Sequence, residues 1–127
     1  MENLSDLSRR ERQVLEAVYR LGRGAVSEIR AQLADPPTLT AVRTHLGILL
    51  GKGLVRSEED GLRNLYSPTI PQEDIGRQTM SDVLATFFDN SVERAVLTFI
   101  DGPESKLDAD QLDRLAAMIE RARADGR

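Results

Sequence analysis

A mainly α-helical fold carrying one small β-hairpin is what this sequence predicts, on three observations. Apolar residues recur at helical spacing through most of the chain. One short stretch, 54–67, instead shows two strand-like runs about a turn that ends in Asp-Gly. Aromatic residues make up only 4% of the chain while apolar residues make up 40%, so the core must be aliphatic. An aliphatic core suits helices packed through Leu, Val, Ile and Ala better than a β-sandwich.

The first helix opens at Ser8, where Ser8 and Glu11 have the spacing of a capping box. Val14, Leu15, Val18 and Leu21 then form its apolar stripe, and Gly22 and Gly24 end it. A short second helix over Ala25–Leu33 sets Val26, Ile29 and Leu33 on one face, and Asp35-Pro36-Pro37 breaks it. A third helix starts at Thr38–Thr40, buries Val42, Leu46, Leu49 and Leu50, and closes at Gly51-Lys52-Gly53. Its opposite side carries Arg43, Thr44 and Gly47. Gly47 and Gly51 weaken that helix by up to about 1 kcal/mol each relative to alanine, so packing or a close backbone approach must justify them. The hairpin follows: Leu54–Ser57 and Leu62–Ser67 are the strands, Glu58-Glu59-Asp60-Gly61 the turn, and Pro68 the stop.

Pro68-Thr69-Ile70-Pro71 reads as a hinge to a second, helical part. A helix over Gln72–Phe88 carries Ile75, Met80, Val83, Leu84, Phe87 and Phe88. A shorter one begins after Asp89-Asn90-Ser91, bears Val92, Ala95, Val96, Phe99 and Ile100, and ends at Gly102-Pro103. Asp108 caps the last helix with Gln111 as its capping-box partner, and Leu107 and Leu112 form the staple. These roughly 57 residues are few for a self-sufficient core. Burying Phe87, Phe88, Phe99 and Leu115 against a second copy is the simplest solution, which predicts a twofold dimer. The expected division is therefore 1–70 and 71–127.

Composition excludes several classes. The chain has no cysteine, hence no disulfide framework, thiolate metal site or cysteine nucleophile. The start MENLSDLSRRER is polar, so no signal peptide is expected, and no stretch approaches the roughly 20 apolar residues of a membrane span. A cytoplasmic protein is the expectation. No Ser/His/Asp set, glycine-rich phosphate loop or His cluster is present, so no catalytic residue, cofactor or metal is assigned. Asp108-Ala109-Asp110 has a metal-like spacing that the helix cap explains better, and the lone His45 reads as a surface residue. The net charge of −4 argues against nucleic acid, but it is unevenly spread. Residues 1–70 hold ten Lys/Arg against nine Asp/Glu, while 71–127 hold seven against twelve.

Two helices, a tight turn, a third helix and a hairpin are the order of a winged helix-turn-helix, whose second motif helix enters the DNA major groove. Here that helix opens Thr38-Leu39-Thr40-Ala41-Val42-Arg43-Thr44-His45. Arg43 has the fork geometry for guanine O6 and N7, Thr40 and Thr44 can meet base or phosphate, and Ala41 allows close approach. Arg56, Arg63 and Asn64 on the hairpin, and Arg9, Arg10 and Arg12 on the first helix, are phosphate candidates that ordinary surface charge also explains. Two other classes fit the same pattern. One is a winged-helix protein-interaction module, favoured by the net charge and the acidic hairpin. The other is a ligand-sensing regulator whose C-terminal phenylalanines line a pocket.

The sequence resembles the penicillinase-repressor family of winged helix-turn-helix regulators (the BlaI/MecI/CopY type). The likeness rests on Leu7-Ser8-x-x-Glu11, Gly24-Ala25-Val26-Ser27-Glu28-Ile29, Thr40-Ala41-Val42-Arg43-Thr44-His45-Leu46, Lys52-Gly53-Leu54-Val55 and Tyr66-Ser67-Pro68. It extends over nearly the whole chain. It implies a homodimeric repressor on an inverted-repeat operator, with Thr40, Ala41, Arg43 and Thr44 facing double-stranded DNA and the C-terminal helices joining the copies. Val42 and Leu46 would stay in the core. The resemblance also raises a sensor protease as a partner, since the penicillinase branch is cleaved at an Asn-Phe bond. The pair here is Thr98-Phe99, and that departure speaks against such cleavage. Ile48 stands where the family often has a basic residue, and Gly61-Leu62 where it often has Gly-Arg. Without cysteine, the thiolate copper sensing of the copper branch is not expected.

Overall fold

The computed structural model describes residues 4–103 and 106–126. After a 3-10 turn at Leu4–Asp6 come α1 (Arg9–Leu21), α2 (Val26–Ala31), α3 (Leu39–Gly51), β1 (Val55–Asp60), β2 (Arg63–Pro68), α4 (Gln72–Phe87), α5 (Val92–Asp101) and α6 (Ala109–Ala124). The fold is the winged helix-turn-helix that the sequence predicts, continued by helices.

Local chemistry sets most boundaries. Ser8 Oγ accepts from the Glu11 amide at 3.1 Å, and the Ser8 amide donates to Glu11 Oε1 at 3.3 Å, completing the capping box. That backbone donor also holds the Glu11 carboxyl below its ordinary pKa. Gly22 ends α1 at φ +76°. Gly24 serves a different purpose from the expected helix cap. It is buried and exchanges two backbone hydrogen bonds with Tyr66, at 3.0 and 2.8 Å, and a Cβ there would lie 2.8 Å from Leu21 Cδ1. A side chain at this position would have to displace the Leu21 methyl, so the site favours glycine. Thr38 caps α3 by accepting from the Ala41 amide at 3.1 Å. At its other end Gly53, at φ +74°, and Leu54 donate back to Leu50 and Leu49, a Schellman closure.

Three further expectations need correction. The second helix is shorter than the sequence suggested, ending at Ala31 rather than Leu33. Leu50 is 36% exposed and lies at the rim of the buried stripe, which is made by Val42, Leu46 and Leu49. The acidic run is strand, not turn: Glu58 pairs with Leu65, Glu59 with Asn64 and Asp60 with Arg63. The turn is the two residues Gly61-Leu62, with only Gly61 at positive φ (+68°), as a II′ hairpin requires.

The chain divides into two compact units, Met1–Met80 and Ser81–Arg127, so α4 contributes to both. The first unit holds a single core in which Val14, Leu15 and Val18 of α1 meet Ile29, Val42, Leu46, Leu49, Leu54, Val55 and Tyr66. Ile75 of α4 joins it. The 68–71 segment is bonded to this unit. Tyr19 donates its hydroxyl to the Ile70 carbonyl at 2.8 Å, and Thr69 donates to the Gly53 and Leu54 carbonyls at 2.6 and 3.1 Å. Burial pushes the Tyr19 phenol up in pKa, which keeps it a donor.

In the second unit Ser91 caps α5, and Asp108 with Gln111 caps α6 through bonds of 2.8 and 3.0 Å. Its apolar residues are only partly covered: none of its described residues is buried, Phe88 is half-buried, and Phe87 and Phe99 are 71% and 64% exposed. A cavity of about 280 Å³ here is lined by Met118, Arg121, Ala122 and Asp125. Among the described residues no helix is long and apolar enough to cross a membrane.

Candidate nucleic-acid interface

The turn between α2 and α3 has few backbone bonds of its own, and two arginines hold it. Arg30 Nε donates to the Pro37 carbonyl, and Arg10 donates to the Asp35 carbonyl at 3.0 Å. Asp35 adopts φ +50°, a conformation that aspartate tolerates better than most residues. These bonds fix where α3 begins and therefore which side chains leave its N-terminal turns.

Of the five residues singled out from sequence, four lie on α3. Thr40, Arg43 and Thr44 are exposed, and Ala41 is half-buried with its amide taken by the Thr38 cap. Thr44 donates its hydroxyl to the Thr40 carbonyl at 3.1 Å, which leaves its lone pairs outward. Arg43 makes no hydrogen bond or ion pair among the described residues. Gly47 shares this exposed side, and a Cβ there would meet nothing within 4 Å, so packing does not explain the glycine.

The fifth, Arg63, opens β2. Its guanidinium lies 3.8 Å from Glu28 Oε1 and 3.9 Å from Asp60 Oδ2, with all three side chains at least half exposed. Glu28 Oε1 also accepts from the Ala25 amide at 2.8 Å at the start of α2. Arg63 and Arg43 line one groove of about 320 Å³ between α3, the start of α2 and the hairpin, together with Ser27, Leu39, Leu62 and Asn64. Thr40, Ala41 and Thr44 do not line it. Leu39 was missed from sequence although its position, four residues before Arg43, was the available signal.

The other cations separate cleanly. Arg10 bonds Gln13 and the Asp35 carbonyl, and Arg12 donates to the Leu4 carbonyl at 3.1 Å. Both therefore support the fold, whereas Arg9 is exposed with no such partner among the described residues. Arg56 reaches Ser67 Oγ at 3.4 Å, and Arg23 pairs with Glu58 at 3.2 Å. His45 is half-buried, with Nδ1 enclosed and without a hydrogen-bond partner. No group of three His, Asp or Glu side chains suited to a metal occurs among the described residues.

The sequence profile described as penicillinase repressor matches residues 7–121, nearly the whole chain. The chain belongs to the penicillinase repressor family. This membership makes it a DNA-binding repressor and not an enzyme. No curated protein sequence matches it. Among solved structures, the hsRosR-S1 complex is 19% identical, with 97% of each chain covered and a TM-score of 0.56. A cysteine-to-serine mutant of MarR from E. coli is 18% identical over 93% of this chain and 79% of that one, at a TM-score of 0.53. The same mutant complexed with operator DNA gives 16% identity, coverage of 93% and 76%, and a TM-score of 0.53. At these identities the likeness establishes the shared winged-helix fold.

Proposed function

We propose that this penicillinase-repressor family member acts as a cytoplasmic homodimer on an inverted-repeat operator. Residues 1–70 form the DNA-binding part and 71–127 the dimerisation part. One observation carries the DNA-facing assignment: α3 turns an unpartnered Arg43 outward, beside exposed Thr40, Thr44 and Gly47. In this reading Arg43 contacts a base edge, Thr40 and Thr44 contact base or phosphate, and Ala41 and Gly47 let the helix backbone come close. Arg63 contributes a phosphate contact from the hairpin.

The dimer is supported by the second unit, whose described residues include no buried side chain. A bare helical segment of that kind is stabilised by covering its apolar faces, and a second copy offers complementary ones. Half-sites then lie about one helical turn, or a multiple of it, apart.

The test is titration of the full chain into its own upstream DNA and into a scrambled duplex, each at two salt concentrations. Tight, sequence-dependent binding by two chains per site is the expected result. Arg43→Ala should cost on the order of 1–3 kcal/mol on the specific duplex and relax preference at one base pair. Equal, weak binding to both duplexes would refute the assignment.

A further inference from the structure

We infer that Leu39 reads the 5-methyl group of a thymine close to the base pair that Arg43 contacts; this rests on the DNA-binding reading above. Leu39 is the first residue of α3 and 40% exposed, so a large aliphatic side chain sits on the turn that a major groove meets first. Beyond the part of it that rests in the groove beside Val26 and Tyr66, neither the helix cap nor the buried stripe uses this leucine. Thr38 supplies the cap, and the buried stripe of α3 begins at Val42. Leu39 and Arg43 are four residues apart, share a helix face, and line the same groove beside the hairpin.

On the major-groove edges of the base pairs the thymine methyl is the one apolar group, so it is the natural partner for an aliphatic side chain. Arg43, unpartnered beside it, has the fork for guanine O6 and N7. One helical turn rises about 5.4 Å against about 3.4 Å per base pair, so the two readings fall roughly one to two base pairs apart. The polar residues of α3 thus supply hydrogen bonds, and Leu39 supplies a discrimination that hydrogen bonds do not.

The experiment uses a duplex enriched from a random pool by the full-length protein. It is resynthesised with single thymines replaced in turn by deoxyuridine, which removes only the methyl. For the unmodified chain, one thymine per half-site should lose about fourfold in affinity, the value of one methyl withdrawn from water. Leu39→Ala should bind the thymine and deoxyuridine duplexes equally at that position, and Leu39→Met should keep most of the difference. Leu62→Ala, in the same groove, should keep all of it.

Methyl dependence that persists in Leu39→Ala would overturn the inference and pass the contact to Thr40, Ala41 or Thr44. So would a site indifferent to every methyl. A pool that yields no enriched sequence would instead overturn the DNA reading itself, and this inference with it.

Discussion

Removing the charge of Asp60 should strengthen DNA binding, through Arg63. The Arg63 guanidinium lies between Glu28 at 3.8 Å and Asp60 at 3.9 Å. Unit charges about 4 Å apart attract by about 1 kcal/mol in water, and exposed pairs of this kind measure about 0–1 kcal/mol. A phosphate that recruits Arg63 must displace at least one carboxylate and then sit near the other. Asp60→Asn keeps the shape and the last strand pair while deleting one of the two competitors. The gain is bounded by about 1 kcal/mol, or about fivefold in affinity at low salt. It should shrink as salt rises and the Debye length falls. If Arg63 takes up one phosphate more fully, the plot of log affinity against log salt steepens by at most about 0.9. The assay is fluorescence anisotropy on the operator and a scrambled duplex across a salt series, for the unmodified chain, Asp60→Asn, Arg63→Ala and the double variant. The double variant must show no gain over Arg63→Ala. An equal gain in the absence of Arg63 would show that Asp60 acts as a general repulsive charge and would refute the mechanism. An unchanged slope in both single variants would remove the hairpin from the interface.

Leu46 is fully buried at the centre of α3, so Leu46→Ala should lower unfolding free energy by about 2–5 kcal/mol in a urea titration; a loss below about 1 kcal/mol would contradict its place in the core. Ser8→Ala removes the acceptor that caps α1 and should cost about 1 kcal/mol in the same titration. Because the folded state depresses the Glu11 pKa, the stability that Glu11 confers is present above its ordinary value near 4.5 and is lost as pH falls through the lower folded value. The gap in melting temperature between the unmodified chain and Glu11→Gln should therefore close on acidification below that pH, and a gap that widens would reverse the sign. Phe99→Glu, placed on an uncovered face of α5, should convert the chain to monomer in sedimentation velocity at micromolar concentration; a persistent dimer would locate the seam elsewhere.

What could be read from sequence was what is decided within a few residues. The caps at Ser8 and Asp108 each pair with a glutamate or glutamine three positions on, so their spacing alone announces them, whereas only the structure chooses Thr38 over Thr40 for α3. The stripes of α1 and α3 were legible for the same reason, since helical periodicity is local. The hairpin register was not. Three acids before Gly61 resemble a loop, but a two-residue turn with Gly61 first draws Glu58–Asp60 into the strand. The backbone pairing of Gly24 depends on Tyr66 arriving from 42 positions later, and no local pattern carries that. Likewise Arg9, Arg10 and Arg12 are indistinguishable as sequence. Only the tertiary carbonyls of Asp35 and Leu4 separate the two structural arginines from the free one. Leu39 escaped notice because an isolated exposed leucine is ordinary, and the groove that gives it meaning is assembled from three separate segments.

The near-neutral charge of the winged unit and the bare apolar faces of the second unit bear on the same question. Arg10, Arg12 and Arg30 donate to backbone carbonyls, Lys52 to the Asp6 carbonyl and Glu11, and Arg23 and Arg63 lie against carboxylates. Few cations remain for phosphate, so one winged unit alone should hold arbitrary DNA weakly, with a shallow salt dependence. In the proposed dimer, occupancy of an operator comes from base contacts made by α3 and from making them twice. Joining two winged units through their C-terminal helices turns the second contact into an intramolecular one, at an effective concentration fixed by geometry. In such an arrangement the apolar face governs affinity without touching DNA. Weakening the seam should erase specific binding at protein concentrations where each winged unit is still fully folded, because the core around Leu15, Ile29 and Leu46 is complete within Met1–Met80.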